Sequence, residues 1–101
     1  MRIGEVIGNV TLSRTHPSLP PAALVVAVPL SLEVLATGEG PRGEPVIVYD
    51  ELGAGVGARI GFTEGREAAQ PFHPSRVPLD AYNACILDRV DVTLLGGDMN
   101  V

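Results

Sequence analysis

The chain has 101 residues, the length of one ordinary domain, and its 12 acidic residues outnumber its 7 basic residues, giving a formal net charge of −5. All of the basic residues are arginines spread singly along the chain, so the clustered positive charge that displaces counterions from nucleic acid is missing and we expect no nucleic-acid binding. One cysteine excludes an internal disulfide and a cysteine-based zinc site, and the apolar runs are too short to cross a bilayer, so we expect a soluble cytoplasmic protein with no membrane partner.

Aromatic side chains are scarce, since the sequence has two Tyr, two Phe and no Trp. The core must therefore be built mainly from aliphatic residues. A domain of this size buries about 60–70% of its unfolded surface, and the net stability of a native protein is only about 5–15 kcal/mol. Free energy from a subunit interface would be a sizeable addition, and we expect an oligomer.

Three segments of the first half have strand patterns. Residues 3–12 alternate between apolar or small and mainly polar side chains, which predicts a half-buried strand. Residues 24–30 are continuously apolar and predict a well-buried strand, in which Pro29 suggests an edge or a bulge. The Gly-rich and Pro-rich residues 36–45 predict a hairpin connection to a third strand over residues 46–49.

The second half continues this pattern. A fourth strand is predicted over residues 58–62, followed by a short helical turn over residues 65–70 that ends at Pro71. A second brief helical turn is predicted over residues 78–82. The last strand is predicted over residues 86–94, with four aliphatic residues on one face, namely Ile86, Val90, Val92 and Leu94.

Five short strands, long loops and little helix favour an all-β fold. We predict a small five-stranded OB-like antiparallel barrel with one or two short helical turns. The barrel is expected to form a single domain over residues 1–95, and residues 96–101 are expected to be a loose C-terminal tail.

A glycine-rich run after the third strand has the most unusual composition in the chain. Gly53, Gly55 and Gly57 occur within five residues, and glycine is used where the backbone needs a positive φ or approaches another backbone closely. Such a loop could hold a ligand, or it could lie where several copies of the chain meet. The pattern from Gly53 to Ala58 also fits a dinucleotide-binding motif, but that motif needs a helix N-terminus, and the residues that follow predict a strand.

The arginines near this run allow two interpretations. Arg59 and Arg66 could be solvated, or they could form inter-subunit ion pairs with Asp50, Glu51 or Glu64. Arginine suits interface ion pairs because its planar guanidinium binds carboxylates in a bidentate geometry.

The other candidate groups do not combine into a catalytic site. His16 and His73 lie in separate proline-rich loops, with no carboxylate or cysteine at ligand spacing. Cys85 has apolar neighbours, which predicts a buried and inert thiol. Asp88 and Asp91 differ in parity, so they would lie on opposite faces of a strand. We therefore predict a protein that is not an enzyme and binds no cofactor and no metal.

Several segments taken together resemble a known family. The opening residues 1–8 (MRIGEVIG), residues 24–28, the glycine-rich residues 50–57 (DELGAGVG), residues 78–81 (PLDA) and residues 86–90 (ILDRV) fall at the spacing of the pentameric vertex proteins of bacterial microcompartment shells. This is the EutN/CcmL family of ethanolamine-utilisation and carboxysome vertex proteins. The resemblance covers essentially the whole chain.

The resemblance implies a structural role in a microcompartment shell. Members of the family are OB-like barrels that form cyclic pentamers and cap the vertices of the shell among hexameric and pseudohexameric tiles. It further implies a narrow axial opening, with the glycine run near the subunit contacts around the axis, at Gly53, Ala54, Gly55 and Gly57. An OB-type binding module for an oligonucleotide or a small ligand is the alternative function.

Overall fold

The computed structural model describes residues 1–11, 17–18, 23–74 and 80–93. No helix within this part of the chain is both long enough and apolar enough to cross a membrane. The elements in chain order are β1 (Arg2–Val10), β2 (Ala23–Pro29), α1 (Leu32–Thr37), β3 (Val46–Asp50), β4 (Arg59–Glu64), α2 (Arg66–Ala69), a 3-10 turn (Gln70–Phe72) and β5 (Ala81–Leu87).

The five strands close into a barrel in the order β1-β2-β3-β5-β4. Neighbouring strands are antiparallel except for β3 and β5, which are parallel and share a single pair of facing residues, Tyr49 and Tyr82. The five-stranded OB-like barrel predicted from the sequence is therefore confirmed, with one parallel seam in place of a wholly antiparallel sheet. Parallel partners cannot be joined by a tight hairpin, and here the long connection between β3 and β5 contains β4 and α2.

The barrel interior is filled mainly by aliphatic side chains, as the composition predicts. Phe62 on β4 is the one aromatic residue of this core cluster. Alternation places every second residue of a strand inside, and the even positions Gly4 and Val6 of β1 are buried in this way. The buried members of the cluster are Val6, Val25, Ala27, Val48, Ala54, Ile60, Phe62 and Ala81.

Only one face of strand β2 is fully buried, although its continuously apolar sequence predicts burial of both faces. Val25, Ala27 and Pro29 point inward and are buried, whereas the intervening residues are half-buried. Pro29 does not mark an edge, because β2 pairs with β1 on one side and β3 on the other. The bulge lies instead on β1, where the register shifts between Val6 and Gly8.

The predicted hairpin connection over residues 36–45 is wrong at its start, because α1 occupies Leu32–Thr37. The Oγ of Ser31 caps this helix by accepting a hydrogen bond from the N–H of Val34 at 3.2 Å. Gly38 ends it in the left-handed conformation, with φ of 84°, and donates its N–H to the Val34 carbonyl. Both capping residues can be seen in the sequence. A helix of only six residues, however, is too short for the helical repeat of apolar residues to be recognised.

The last strand lies earlier than predicted. β5 spans Ala81–Leu87, and residues 88–93 are outside any strand. Tyr82 therefore belongs to a strand and not to the helical turn predicted over residues 78–82, of which residues 78–79 lie outside the described part of the chain. The predicted turn over residues 65–70 is confirmed by α2, although the helical conformation continues past Pro71 in the 3-10 turn. Residues 94–101, including the predicted tail, are outside the described residues.

Candidate functional site at the glycine loop

The glycine-rich run forms an exposed loop over residues 51–57, called here the glycine loop, between the end of β3 and the start of β4. Its midpoint, Ala54, turns inward and is buried in the core cluster. The residues on either side of Ala54 are all exposed. The loop is thus fixed to the barrel at its centre and presents its glycines to the outside.

Asp50 holds the first half of the loop. Its side chain is 2% exposed, and its Oδ1 accepts hydrogen bonds from the Leu52 N–H and from the Asn83 side-chain amide, both at 2.9 Å. Its Oδ2 accepts a third hydrogen bond from the Ala54 N–H at 2.7 Å. A carboxylate that accepts several hydrogen bonds compensates for its burial in this way. Asp50 therefore ties the loop to β5, through Asn83.

Backbone hydrogen bonds hold the second half of the loop. The Gly57 N–H donates to the Val6 carbonyl at 2.8 Å, and the Val6 N–H donates to the Ala58 carbonyl at 2.9 Å. The Ala58 N–H also donates to the Gly55 carbonyl at 3.0 Å, which closes a turn. The loop is thereby joined to β1 at its bulge as well as to β5.

The three glycines of the loop differ in what they require. Gly53 and Gly57 adopt positive φ values of 80° and 93°, which side chains other than glycine rarely adopt. Gly55 has no positive φ. Apart from the two chain neighbours of each glycine, a Cβ atom built on any of the three would meet no atom of the described residues within 4 Å. The described part of the chain therefore leaves the space over these glycines unused, and the backbone is open to close approach from outside.

The outward side chains of the glycine loop are mainly apolar. Leu52 and Val56 are 50% and 66% exposed. The acidic group of the loop, Glu51, accepts a hydrogen bond from the Tyr82 hydroxyl at 2.7 Å. The outer surface of the loop thus combines bare glycine backbone with two exposed aliphatic side chains.

Three aromatic residues, called here the aromatic clasp, cover the parallel seam beside the loop. The ring of Tyr49 is stacked at 6.1 Å on that of Tyr82, and the Phe72 ring packs edge-on to both at 5.6 Å. Tyr49 faces the outside of the barrel opposite Leu24 but is almost fully buried by the clasp. The clasp therefore brings together three distant parts of the chain where the backbone pairing is weakest.

The hydrogen bond to Glu51, and then burial, raises the pKa of Tyr82 to about 12. Burial raises the pKa of Tyr49 in the same direction. Because the folded-state pKa of Tyr82 lies above the ordinary tyrosine value of 10.0, the contribution of the protonated Tyr82 to stability is complete below about pH 10 and is lost as the pH rises toward about 12.

We expect Glu51→Gln to lower the pH at which one tyrosine ionises. The ultraviolet absorbance of tyrosinate, recorded during a pH titration, measures this ionisation. The matched control is Glu39→Gln, an exposed acid beside α1 that should leave the titration unchanged. Wild type should also lose more stability than Tyr82→Phe between about pH 10 and pH 12. Identical tyrosine titrations in Glu51→Gln and wild type would contradict the assignment of this hydrogen bond.

The arginines predicted to form ion pairs are available, but Asp50 is not. Arg59 on β4 is half-buried and faces Glu5 across the sheet, and Arg66 is exposed at the start of α2. Within the described residues, neither guanidinium has a carboxylate within 4.0 Å. Asp50 uses both oxygens inside the chain, so its predicted role in inter-subunit pairing is corrected to an internal anchor.

The remaining candidate groups are dispersed. His73 is exposed after the 3-10 turn, and His16 lies outside the described residues. Cys85 is half-buried and not fully buried, with its Sγ near Gly61. Asp91 is exposed and pairs with Arg89 at 3.0 Å. Within the described part of the chain, no three histidine, cysteine or acidic residues are placed to hold a metal ion.

The barrel and the glycine loop together are typical of a subunit of a larger assembly. A small closed barrel carries a loop whose backbone is held rigidly from within and left bare on its outer side, as in a subunit that meets other subunits. The family model described as "Ethanolamine utilisation protein EutN/carboxysome" matches residues 1–88. The chain belongs to this family.

Solved structures agree with this assignment. The GrpN pentameric microcompartment shell protein from Rhodospirillum rubrum is 30% identical, with a TM-score of 0.75 over 92% of this chain and 100% of that chain. CcmL from Gloeobacter violaceus is 27% identical, with a TM-score of 0.76 over 91% of this chain and 90% of that chain. The pentameric shell protein MSM0273 from the RMM microcompartment is 25% identical, with a TM-score of 0.71 over 86% and 100% of the two chains. A comparison with curated protein sequences found no match.

Proposed function

We propose that this chain is a structural subunit of a bacterial microcompartment shell and that five copies form a ring that closes a vertex. The observation that carries the proposal is the family match over residues 1–88, joined to the 30% identity with a protein described as a pentameric microcompartment shell protein. The role is mechanical and non-enzymatic. The ring sits in the cytoplasm within the shell and contacts no nucleic acid.

A five-membered ring would introduce curvature into a shell made of six-fold tiles. Tiles with six-fold symmetry cover a flat surface, and replacing one of them by a five-fold tile removes a sector and forces the surface to bend. We propose that the partners around the ring are hexameric and pseudohexameric shell proteins. A cyclic ring is built from heterologous contacts, in which two different surfaces of each copy meet and the rotation closes.

The glycine loop is suited to the part of the ring contact where all copies approach one another most closely. We propose that Gly53, Ala54, Gly55 and Gly57 lie near the five-fold axis, where loops from all copies converge. Support comes from the open space over the three glycines and from the two exposed aliphatic residues beside them, Leu52 and Val56. The internal anchoring of Ala54 and Asp50 holds the loop in one shape before assembly, which reduces the entropy lost on binding.

Ion pairs between copies are a second part of the proposal. Arg59 and Arg66 carry charges with no carboxylate partner among the described residues, and we propose that they pair with acidic groups of a neighbouring copy. Such pairs would fix the register of the ring more than they would raise its stability.

Native mass spectrometry at micromolar concentration tests the ring directly. A species of five times the 10.5 kDa chain mass is expected. A monomer or dimer as the only species would contradict the proposal. Electron microscopy of shells assembled with and without this chain then tests the vertex role, because shells that lack it should stay open or elongate.

Gly55→Leu should weaken ring assembly while leaving the barrel folded. Gly55 has no positive φ and has free space around it in the single chain, so the leucine costs little until copies converge. The control is Glu39→Leu, which adds the same exposed apolar group beside α1. Circular dichroism should show both variants folded like wild type, and only Gly55→Leu should shift the native mass spectrum toward monomer. Full rings of Gly55→Leu would show that the loop is not crowded.

An OB-type binding module is less well supported. Oligonucleotide binding on such a barrel needs exposed aromatic side chains for base stacking and a basic groove. In this chain Phe62 is fully buried, and Tyr49, Phe72 and Tyr82 pack on one another in the aromatic clasp. A nucleotide-dependent enzyme is less supported still, since the glycine loop leads into strand β4 and not into a helix.

A further inference from the structure

Strand β2 has the sequence of a strand buried on both faces, but only one of its faces is fully buried. Its seven residues, ALVVAVP, are all apolar, a composition typical of strands that are covered on both sides. Barrel strands with one solvated face normally alternate between apolar and polar residues. Here the outward residues Leu24, Val26 and Val28 are only half-buried in the single chain.

Two exposed isoleucines extend this apolar surface onto the neighbouring strands. Ile47 on β3 lies directly opposite Val26. Ile7 is the extra residue of the bulge on β1, beside the facing pair Gly8 and Val26. Ile7 and Ile47 are each 49% exposed. The term β2 outer face is used here for the set Ile7, Leu24, Val26, Val28 and Ile47.

No other site in the described part of the chain groups exposed aliphatic residues across adjacent strands in this way. Met1 precedes the sheet, Leu32 stands at the first position of α1, and Ile86 lies near the end of β5. Single exposed apolar residues are normal on protein surfaces, whereas a contiguous set marks an interaction site.

We propose that the β2 outer face is the surface on which each copy receives its neighbour in the five-membered ring. The inference rests on the proposed function, because a heterologous ring requires a second contact surface beyond the glycine loop. The face is continuous with that loop, since Gly57 is hydrogen-bonded to Val6 and Ile7 is the next residue. The ring contact therefore extends from the axis outward along β1, β2 and β3.

Charge favours the same assignment. Each copy carries a formal net charge of −5, so bringing copies together is opposed by repulsion. The β2 outer face contains no ionisable residue, and the nearest acid along its edge, Glu5, lies opposite both Val28 and the cationic Arg59. An uncharged contact bordered by a pair of opposite charges lets acidic copies approach at little electrostatic cost.

Ile47→Asp is the test, with Leu32→Asp as the matched control. Both replace an exposed large aliphatic residue, 49% and 64% exposed respectively, by the same acid. Ile47→Asp should raise the concentration needed for ring formation by about 100-fold or more, because a carboxylate would be buried without a partner in the contact. Leu32→Asp should form rings at the wild-type concentration. Circular dichroism checks that both remain folded, and Ile47→Thr keeps the strand propensity if the aspartate unfolds the chain.

The outcomes separate this inference from the proposed function. If wild type forms no five-fold species, the proposed function fails. If wild type forms rings and Ile47→Asp forms them equally well, the β2 outer face is not the ring contact and the inference is overturned. Ile47→Asp rings that assemble normally but no longer enter shells would assign the face to a neighbouring shell tile, which also overturns it. Loss of rings in Ile47→Asp alone supports it.

Discussion

Asp50→Ala is expected to lower the free energy of unfolding by about 3–5 kcal/mol. The substitution strands several donors that the carboxylate now satisfies, among them the buried Ala54 N–H and the Asn83 amide, and each unsatisfied buried group costs about 1–3 kcal/mol. Urea unfolding at a fixed protein concentration measures the loss, since oligomer formation makes the stability concentration-dependent.

Glu51→Ala is the control for this experiment. Glu51 is the next residue, is exposed, and makes one exposed hydrogen bond to Tyr82, so its removal should cost less than about 1 kcal/mol. Asp50→Asn should fall between the two, because an amide cannot accept at both positions where the carboxylate now accepts. Asp50→Ala within about 1 kcal/mol of wild type would show that the carboxylate does not anchor the loop.

Tyr49→Ala is expected to cost about 3–5 kcal/mol, which is typical when a buried aromatic side chain is truncated. Tyr49 is almost fully buried, and both of its clasp partners lie within 6.1 Å. A loss of this size should lower the melting temperature by more than about 12 °C in a domain of about 100 residues. Thermal unfolding followed by circular dichroism measures it.

A milder substitution within the clasp and a control outside it test whether the loss of stability comes from the clasp. Phe72→Leu keeps most of the apolar volume and should cost less than about 1.5 kcal/mol. Leu32→Ala removes an exposed apolar side chain far from the seam and should leave the melting temperature almost unchanged. A Tyr49→Ala protein as stable as Leu32→Ala would mean that the seam closes without the clasp.

Strand patterns with a clear alternation could be predicted from the sequence. The even positions Gly4 and Val6 of β1 and the pair Ile60 and Phe62 of β4 point inward as expected. Val6, Ile60 and Phe62 are apolar, and each has a charged or polar residue on one side in the chain, namely Glu5, Arg59 and Thr63, which makes the inward positions recognisable. The five-stranded barrel followed from these segments together with the family resemblance.

Strand β5 could not be located in the same way, because a buried polar residue interrupts its pattern. Asn83 is 1% exposed, and its burial is stable only because Asp50 lies across the seam. That partner is 33 residues away in the chain, so no local pattern reveals it. The alternation of residues 90–94 instead predicts that the strand continues to residue 94. In the structure, residues 88–93 are outside any strand.

The glycine loop was identified by composition but its internal anchor was not. Three closely spaced glycines indicated close approach, and the open space above them is in keeping with that interpretation. The sequence shows the charge of Asp50 and not its burial, so it predicts a carboxylate available for pairing between copies. An aspartate followed by a turn is a recognisable acceptor for backbone N–H groups two residues on, and this signal would have given the correct role.

The weak backbone pairing between β3 and β5 links closure of the barrel to the shape of the glycine loop. The backbone joins these strands at one pair of residues, and the link between Asp50 and Asn83 crosses the same junction. A chain in which this junction is open lacks that link, and the first half of the glycine loop is then held by two of the three hydrogen bonds that Asp50 accepts, those from Leu52 and Ala54. Closing the seam and fixing the first half of the glycine loop are therefore coupled, so a chain with an open seam presents a looser loop.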